Sequence, residues 1–344
     1  MTGTAQNGGT ILGVGKTAPG PGNLGMITRP RPAPGDGEVL LEVIGVGVCG
    51  TDLHIADDEF PSVPPVIMGH EIAGIVAQLG EGVDVSWLGT RVAIETYQVT
   101  CGACPHCREG QRNLCGSRRS FGSHVDGGFA PWLSVPVENL WALPDHLDDA
   151  ACSLLEPLAC VCHCLNDPNL VTPGDKVLVT GPGTMGLLAA QVARASGGSV
   201  TIVGADRDRL RLEAAGALGM EALYTSKFEG DGSFDVVIEC SGHPAGARSC
   251  LDAARPGGRY VQVGLFGHEI PFDLDRICYR ELQLTSGFAS TPESWRRAVR
   301  LVEERRVELD PLITEVAPLS RWEEVFQATR GGEGIKFVFD PRTE

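Results

Sequence analysis

At 344 residues the chain exceeds the length at which a single hydrophobic core stops growing, so two domains are expected. Its 42% hydrophobic and 21% charged residues exclude a disordered polymer. The 28 basic against 44 acidic side chains leave a net charge of -16, which excludes nucleic acid and anionic membrane surfaces as partners.

Residues Met1 to Thr10 lack the basic start and apolar run of an export signal, and no later segment approaches about 18 uninterrupted apolar residues, so the expected location is the cytoplasm. From Gly37 to about Leu143, short β-branched runs broken by Gly and Pro, such as Glu38 to Ile44 and Arg91 to Ile94, predict a β-rich domain. After Pro173-Gly174-Asp175 the pattern becomes a strand over Lys176 to Thr180, a glycine turn, an amphipathic helix over Met185 to Ser196 and a strand over Ser199 to Val203. This βαβ alternation predicts a parallel sheet. Strands at Phe234 to Glu239 and Arg259 to Gly264, with a helix around Ala245 to Ala254 between them, give an α/β doubly wound second domain. Beyond Ser290 a helix over Pro292 to Arg305, the segment Leu312 to Pro318 and a strand over Lys336 to Phe339 leave that rhythm, so the tail is expected to return to the first domain. The expected division is 1–160, with a cysteine-rich lobe at 96–118, then 161–294, then 295–344.

The strongest chemical signal is Cys101-Gly-Ala-Cys104-Pro-His-Cys107 followed by Cys115, a C-x2-C-x2-C-x7-C spacing within 15 residues. Four thiolates that close in sequence can complete a tetrahedral shell around one ion, which suits structural zinc. Gly, Pro and Arg interrupt the run and argue against four core thiols. An iron–sulfur cluster stays open as the rival, although the fourth cysteine of a ferredoxin run comes sooner and precedes proline.

A dispersed second set comprises Cys49-Gly-Thr51-Asp-Leu-His54, Gly69-His70-Glu71 and Leu155-Glu156-Pro157. Cys, His and Glu are the mixed ligands of a catalytic zinc with one open position. Considered singly, Cys49 reads equally as a buried thiol, His70 as a core histidine and Glu156 as a carboxylate at a helix start. The third signal, Gly181-Pro-Gly183-Thr184-Met185-Gly186, follows a strand and opens a helix. Its glycines permit a tight turn and close backbone approach, and the helix N-terminus suits the pyrophosphate of a dinucleotide. Cys160-Val-Cys162-His163-Cys164 has the look of a further metal run, but residues two apart on a helix point in different directions. These thiols, with Cys152, Cys240, Cys250 and Cys278, are read as core residues. Only four basic residues are lysines, Lys16, Lys176, Lys227 and Lys336, a bias read as general composition without a functional message.

Together the Gly-His-Glu signature, the four-cysteine lobe and the dinucleotide turn stand in an order and spacing that resembles the zinc-dependent medium-chain alcohol and polyol dehydrogenases, the sorbitol and threonine dehydrogenase branch in particular. The resemblance covers the chain from about Gly37 onward. It implies a GroES-like β fold for the first domain and a Rossmann fold for the second. By position it implies Cys49, His70, Glu71 and Glu156 as ligands of a catalytic zinc, and Cys101, Cys104, Cys107 and Cys115 as ligands of a structural zinc. Thr51 and His54 match the family's proton relay. Glu156, 25 residues before Gly181, stands where simple alcohol dehydrogenases have a second cysteine. One thiolate, one carboxylate and a neutral imidazole still balance Zn2+, and the site should accept oxygen-rich substrates. Tyr97 falls where the family lines its substrate pocket with an aromatic ring; a phenol there could bond a hydroxyl or simply be packed. Dinucleotide contacts are implied for Gly181, Gly183, Thr184, Met185, Gly186 and Gly264. Gly204 replaces the acid that bonds the ribose of NAD, and Arg207 and Arg209 follow it, which makes NADP usable; Asp206 could substitute for the lost acid.

The expected protein is therefore a cytoplasmic oxidoreductase with two zinc ions per subunit. It would move hydride from a secondary alcohol of a polyol, sugar or cyclitol to NAD(P)+, as a homodimer or homotetramer. The alternative substrate is threonine or another amino-alcohol. The alternative from a different class is a zinc- and dinucleotide-binding protein without catalysis.

Overall fold

Buried along nearly its whole length, the β-branched run Glu38–Gly47 forms the longest strand of the chain, and the first of two structural units is arranged about it. The computed structural model describes residues 9–343. The first unit takes the described residues up to Glu156 and those from Ile313 onward; the second takes Pro157–Leu312.

In chain order the elements begin with β1 (Thr10–Lys16), β2 (Leu24–Pro30), β3 (Glu38–Gly47), α1 (Gly50–Ala56), β4 (Val66–Ile67), β5 (Glu71–Leu79) and β6 (Arg91–Ile94). There follow β7 (Tyr97–Val99), α2 (Pro105–Arg108), β8 (Arg119–Ser120), β9 (Trp132–Pro136), β10 (Leu140–Ala142), α3 (Asp149–Cys152) and α4 (Leu155–Asn166). The second unit continues with β11 (Lys176–Thr180), α5 (Thr184–Ala195), β12 (Ser199–Gly204), α6 (Arg209–Ala217), β13 (Glu221–Tyr224) and β14 (Phe234–Glu239). It closes with α7 (Pro244–Ala253), β15 (Ala254–Gln262), α8 (Leu274–Tyr279), β16 (Gln283–Ser286) and α9 (Pro292–Glu303). The returning segment holds β17 (Ile313–Ala317), α10 (Trp322–Gly331) and β18 (Lys336–Phe339).

In the first unit β10, β6, β5, β3, β18 and β17 lie in that order in one sheet, β9 also pairs with β3, and β2, β1 and β4 form another sheet. The core of this unit runs through Leu41, Val43, Val46, Ile72, Phe129, Phe337 and Phe339. The rings of Phe129 and Phe339 meet edge to face at 5.1 Å. Strands β1 and β2 lie in the Gly/Pro-rich opening that the sequence pattern left without elements. Gly13 and Gly15 interrupt the apolar alternation of β1, and side chains there would collide with Ile67 and Val66 of β4.

The second unit is wholly parallel, in the order β13, β12, β11, β14, β15, β16, with apolar strands such as β11 and β12 buried after their first residue. This is the doubly wound arrangement, whose order reverses between β11 and β14. The GroES-like and Rossmann expectation is met by these two units. The boundaries differ from those read in the sequence. Residues 295–312 stay with the second unit, because Trp295, Ala298 and Val302 of α9 are buried and Gln191 of α5 exchanges hydrogen bonds of 3.0 and 2.8 Å with the backbone of Glu308. Cys152, Cys162, Cys164 and Cys250 are buried and Cys160 and Cys240 half-buried, whereas Cys278 is exposed on α8, a helix with no buried residue, so it is not a core thiol. Among the described residues no helix is long and apolar enough to cross a membrane.

Candidate active site

The chain enters α1 through Cys49, whose backbone N–H donates to Oδ2 of Asp52 at 2.9 Å and fixes the first turn. The Cys49 sulfur lies 3.6 Å from Oγ1 of Thr51. His70 sits just before β5. Its neighbour Gly69 has a φ of 87°, and a side chain there would strike the ring of Phe129. Asp52, fully buried, places Oδ1 3.5 Å from Nδ1 of His70. Donor atoms of Cys49, His70 and Glu71 all lie within 4.8 Å of one another. Burial draws His70 toward its neutral form, but the negative Asp52 and Cys49 outweigh it and hold the imidazole well above the usual histidine range.

Glu156 is outside this convergent set; it is buried, and its Oε1 accepts from the Thr96 hydroxyl at 2.9 Å. Both oxygens of Glu71 accept from Nζ of Lys336, at 2.8 and 2.7 Å, and the same ammonium donates to the carbonyl of Val48 at 3.0 Å. Burial opposes the lysine's charge, yet Glu71 and Cys49 raise its pKa. Lys16 is also buried and donates to the carbonyls of Gly20 and Ala56 at 2.6 and 2.9 Å, closing the end of α1. The few lysines are thus not a neutral compositional trait, since two of the four hold the site's surroundings. His54, three residues beyond Thr51 on α1, has Nδ1 2.7 Å from Oε2 of Glu59. Tyr97 is buried, with the guanidinium of Arg118 5.5 Å from its ring centroid.

The sulfurs of Cys101, Cys104, Cys107 and Cys115 also gather within 4.8 Å, and of the four only Cys115 is buried. Cys101 and Cys107 Sγ are 3.9 Å apart. A single tetrahedral ion with bonds of about 2.3 Å sets its sulfurs about 3.8 Å apart, whereas a cluster of several irons needs them farther away. Backbone N–H groups point at sulfur, Cys104 to Cys101 at 3.3 Å and Cys107 to Cys104 at 3.5 Å. Amides of Ala103 and Cys104 lower the Cys101 thiol to about 6.

At the end of β11, Gly181 has a φ of 88° and packs where a side chain would meet Ser241, while a side chain at Gly186 would meet the carbonyl of Gly181. Gly183 faces open space and precedes α5 without a side chain of its own, Thr184 and Met185 opening the helix. Gly204 ends β12 against Pro182, and Gly264 lies against Gly242 and Glu239. Glu239, which the sequence reading missed, is a buried hub accepting from Ser241 N–H at 2.8 Å and from Gln262 Nε2 at 2.8 Å. Asp206 accepts from Ser226 at 3.3 Å, Arg209 pairs with Glu213 at 2.8 Å, and Arg207 is exposed.

Residues 35–145 match the model of the alcohol dehydrogenase GroES-like domain, and residues 184–304 match that of the zinc-binding dehydrogenases. A sorbitol dehydrogenase of Halalkalibacterium halodurans is 37% identical over 338 residues, 95% of this chain and 98% of its own. The chain belongs to the zinc-binding dehydrogenases. A D-arabitol-phosphate dehydrogenase of Enterococcus avium is 32% identical to this dehydrogenase over 97% of the chain and 99% of its own. A Sinorhizobium meliloti protein assigned as a zinc-binding dehydrogenase and crystallised with NADP has a TM-score of 0.88 at 30% identity, over 97% of this chain and 100% of its own. The donor chemistry of the dehydrogenase fits the metal: four sulfurs within 4.8 Å of one another in the lobe, and sulfur, imidazole and carboxylate converging beside Asp52. Asp52, Glu59 and Lys336 were missed in the sequence. The acid three residues after Cys49 was a legible capping signal for Asp52, whereas Lys336 has none.

Next to Thr96, Glu95 is buried, with Trp141 Nε1 donating to it at 3.1 Å and Arg112 3.9 Å away. Burial raises its pKa, and Trp141 and Arg112 offset only part of that. Because the folded value lies above the unfolded one, near 4.5, stability is greatest below that pH and declines as pH rises through the folded value. Glu95→Gln keeps an acceptor for Trp141. It is expected to raise the melting temperature at about pH 8 and leave it unchanged at about pH 4, as thermal unfolding at the two values will show.

Proposed function

We propose that the chain oxidises a secondary hydroxyl of a sugar alcohol or related polyol to a ketone, with NAD(P)+ as acceptor. The observation that carries this reading is the convergence of Cys49, His70 and Glu71 within 4.8 Å. The substrate class is supported by the sorbitol and D-arabitol-phosphate dehydrogenases aligned over nearly the whole chain. Cys49, His70 and Glu71, with Glu156 as a further carboxylate, would hold a catalytic zinc, and Cys101, Cys104, Cys107 and Cys115 a structural one. When bound, the catalytic zinc supplies Lewis acidity that makes a substrate hydroxyl acidic, and the nicotinamide supplies the hydride acceptor.

The chain's own residues orient the site and move the proton. Asp52 on the Nδ1 side of His70 sets the ring so that Nε2 is the free donor. Oγ1 of Thr51, beside the Cys49 sulfur, would take the substrate proton as it releases its own, and the half-exposed His54, steadied by Glu59, would accept the released proton by relay and give it to solvent. Gly204 in place of an acid, with Arg207 exposed after it, favours NADP, the coenzyme of the Sinorhizobium meliloti relative. Twelve cysteines, five of them placed here as metal ligands, suit a reducing compartment such as the cytoplasm. Edge strand β16, with Leu284 half exposed, supports self-association into a dimer or tetramer.

Coenzyme reduction with a panel of sugar alcohols and cyclitols is expected to outpace that with threonine; the reverse order would assign the amino-alcohol substrate, and binding of both zinc and coenzyme with no turnover on any alcohol would overturn the enzymatic reading. Cys49→Ser and Glu156→Ala are each expected to lower turnover about 100-fold, and full activity in either would remove that residue from the site. Arg207→Ala should raise KM for NADP about tenfold, the worth of one charge-assisted hydrogen bond, with KM for NAD unchanged. Sedimentation equilibrium is expected to give the mass of two or four chains.

A further inference from the structure

At the edge of the parallel sheet where the glycine turn lies, three strand ends meet on one carboxylate. Glu239 ends β14, paired with Thr180 at the end of β11 and with Gln262 at the end of β15. It is fully buried. Its Oε1 accepts from the N–H of Ser241 at 2.8 Å, from the Ser241 hydroxyl and from the Thr180 hydroxyl at 3.4 Å. Its Oε2 accepts from Gln262 Nε2 at 2.8 Å and from the N–H of Gly242 at 3.2 Å. These donors are all neutral, so they spread the negative charge without cancelling it, and among the described residues no Lys, Arg or His forms an ion pair with Glu239. Its neighbours feel that charge: burial raises the Cys240 thiol, and Glu239 adds to the rise.

The carboxylate lies close behind the crevice. A side chain at Gly181 would meet Ser241, and one at Gly264 would meet Oε2 of Glu239 itself, so bare backbone packs against the charge. A dinucleotide at such a switch point spans both sides of the strand reversal. With the ribose of the adenosine half at the end of β12, where Gly204 stands, the nicotinamide half falls to the side of β14 and β15. The nicotinamide ring is a cation in NAD(P)+ and neutral in NAD(P)H, and the two forms are otherwise alike in charge.

We propose that Glu239 is a specificity-determining residue whose uncompensated charge makes the crevice hold the oxidised coenzyme in preference to the reduced one. The inference rests on reading the chain as an NAD(P)+-dependent oxidoreductase, and it fits a protein that works in the direction of alcohol oxidation. Glu239 acts at a distance, through an interior where water screens it little.

The test is the pair of dissociation constants for NADP+ and NADPH, measured by titration calorimetry on the zinc-loaded full-length protein. Glu239→Gln removes the charge at constant side-chain length. Any loosening of the loops weakens both forms and cancels in the ratio of the two constants. That ratio is expected to move about tenfold toward NADPH, the order expected when one of two facing charges is removed inside a protein. Glu239→Asp keeps the charge on a shorter arm, and is expected to weaken both forms while the ratio stays native. A native ratio in Glu239→Gln, or the same shift in Glu239→Asp, overturns the proposal and leaves the coenzyme site standing. Binding of neither form by the native protein overturns the dinucleotide reading itself. If Glu239→Gln does not fold, Gln262→Lys sets an ammonium against the same carboxylate oxygen and is expected to give the same shift; a native ratio there overturns the proposal.

Discussion

Negative groups gathered away from water must be met by positive charge, and in the first unit Cys49, Asp52 and Glu71 set that demand within a few ångströms of one another. One protein cation answers part of it, the ammonium of Lys336. What surplus remains suits a divalent ion, and sulfur, imidazole and carboxylate are ligand types that zinc accepts. Strand pairing, the helix cap at Cys49 and the bare Cα of Gly47 all serve to bring these groups together at fixed positions.

The second unit solves a different problem with backbone alone. Its turn after β11 must bring main chain close to a large anion, which glycine permits and side chains prevent. The buried Glu239 then ties the ends of β14 and β15 together through Ser241 and Gln262, so the loop facing the turn is held by a carboxylate.

Much of this was legible from local pattern. The strands Lys176–Thr180, Phe234–Glu239 and Lys336–Phe339 and the helix from Pro292 were placed within a residue or two, because their apolar periodicity is strong and Gly or Pro marks their ends. The four-cysteine lobe was legible because its sulfurs are local in sequence. The opening hairpin of β1 and β2 was not, since glycines break its alternation. Nor was the end of the second unit, because Trp295 and Gln191 are tied into it by tertiary contacts that no local spacing encodes. The partners of the converging set divide the same way: Asp52 was within reach of a capping argument, whereas Lys336 meets Glu71 from 265 residues away.

That separation has a consequence for how the molecule is made. As the chain leaves the ribosome, the acidic donors around Cys49 emerge first and the whole Rossmann unit is synthesised before β18 arrives with its lysine. The opening β-domain must therefore wait, its central sheet lacking two neighbouring strands, so that its completion is a late and non-local event in biogenesis.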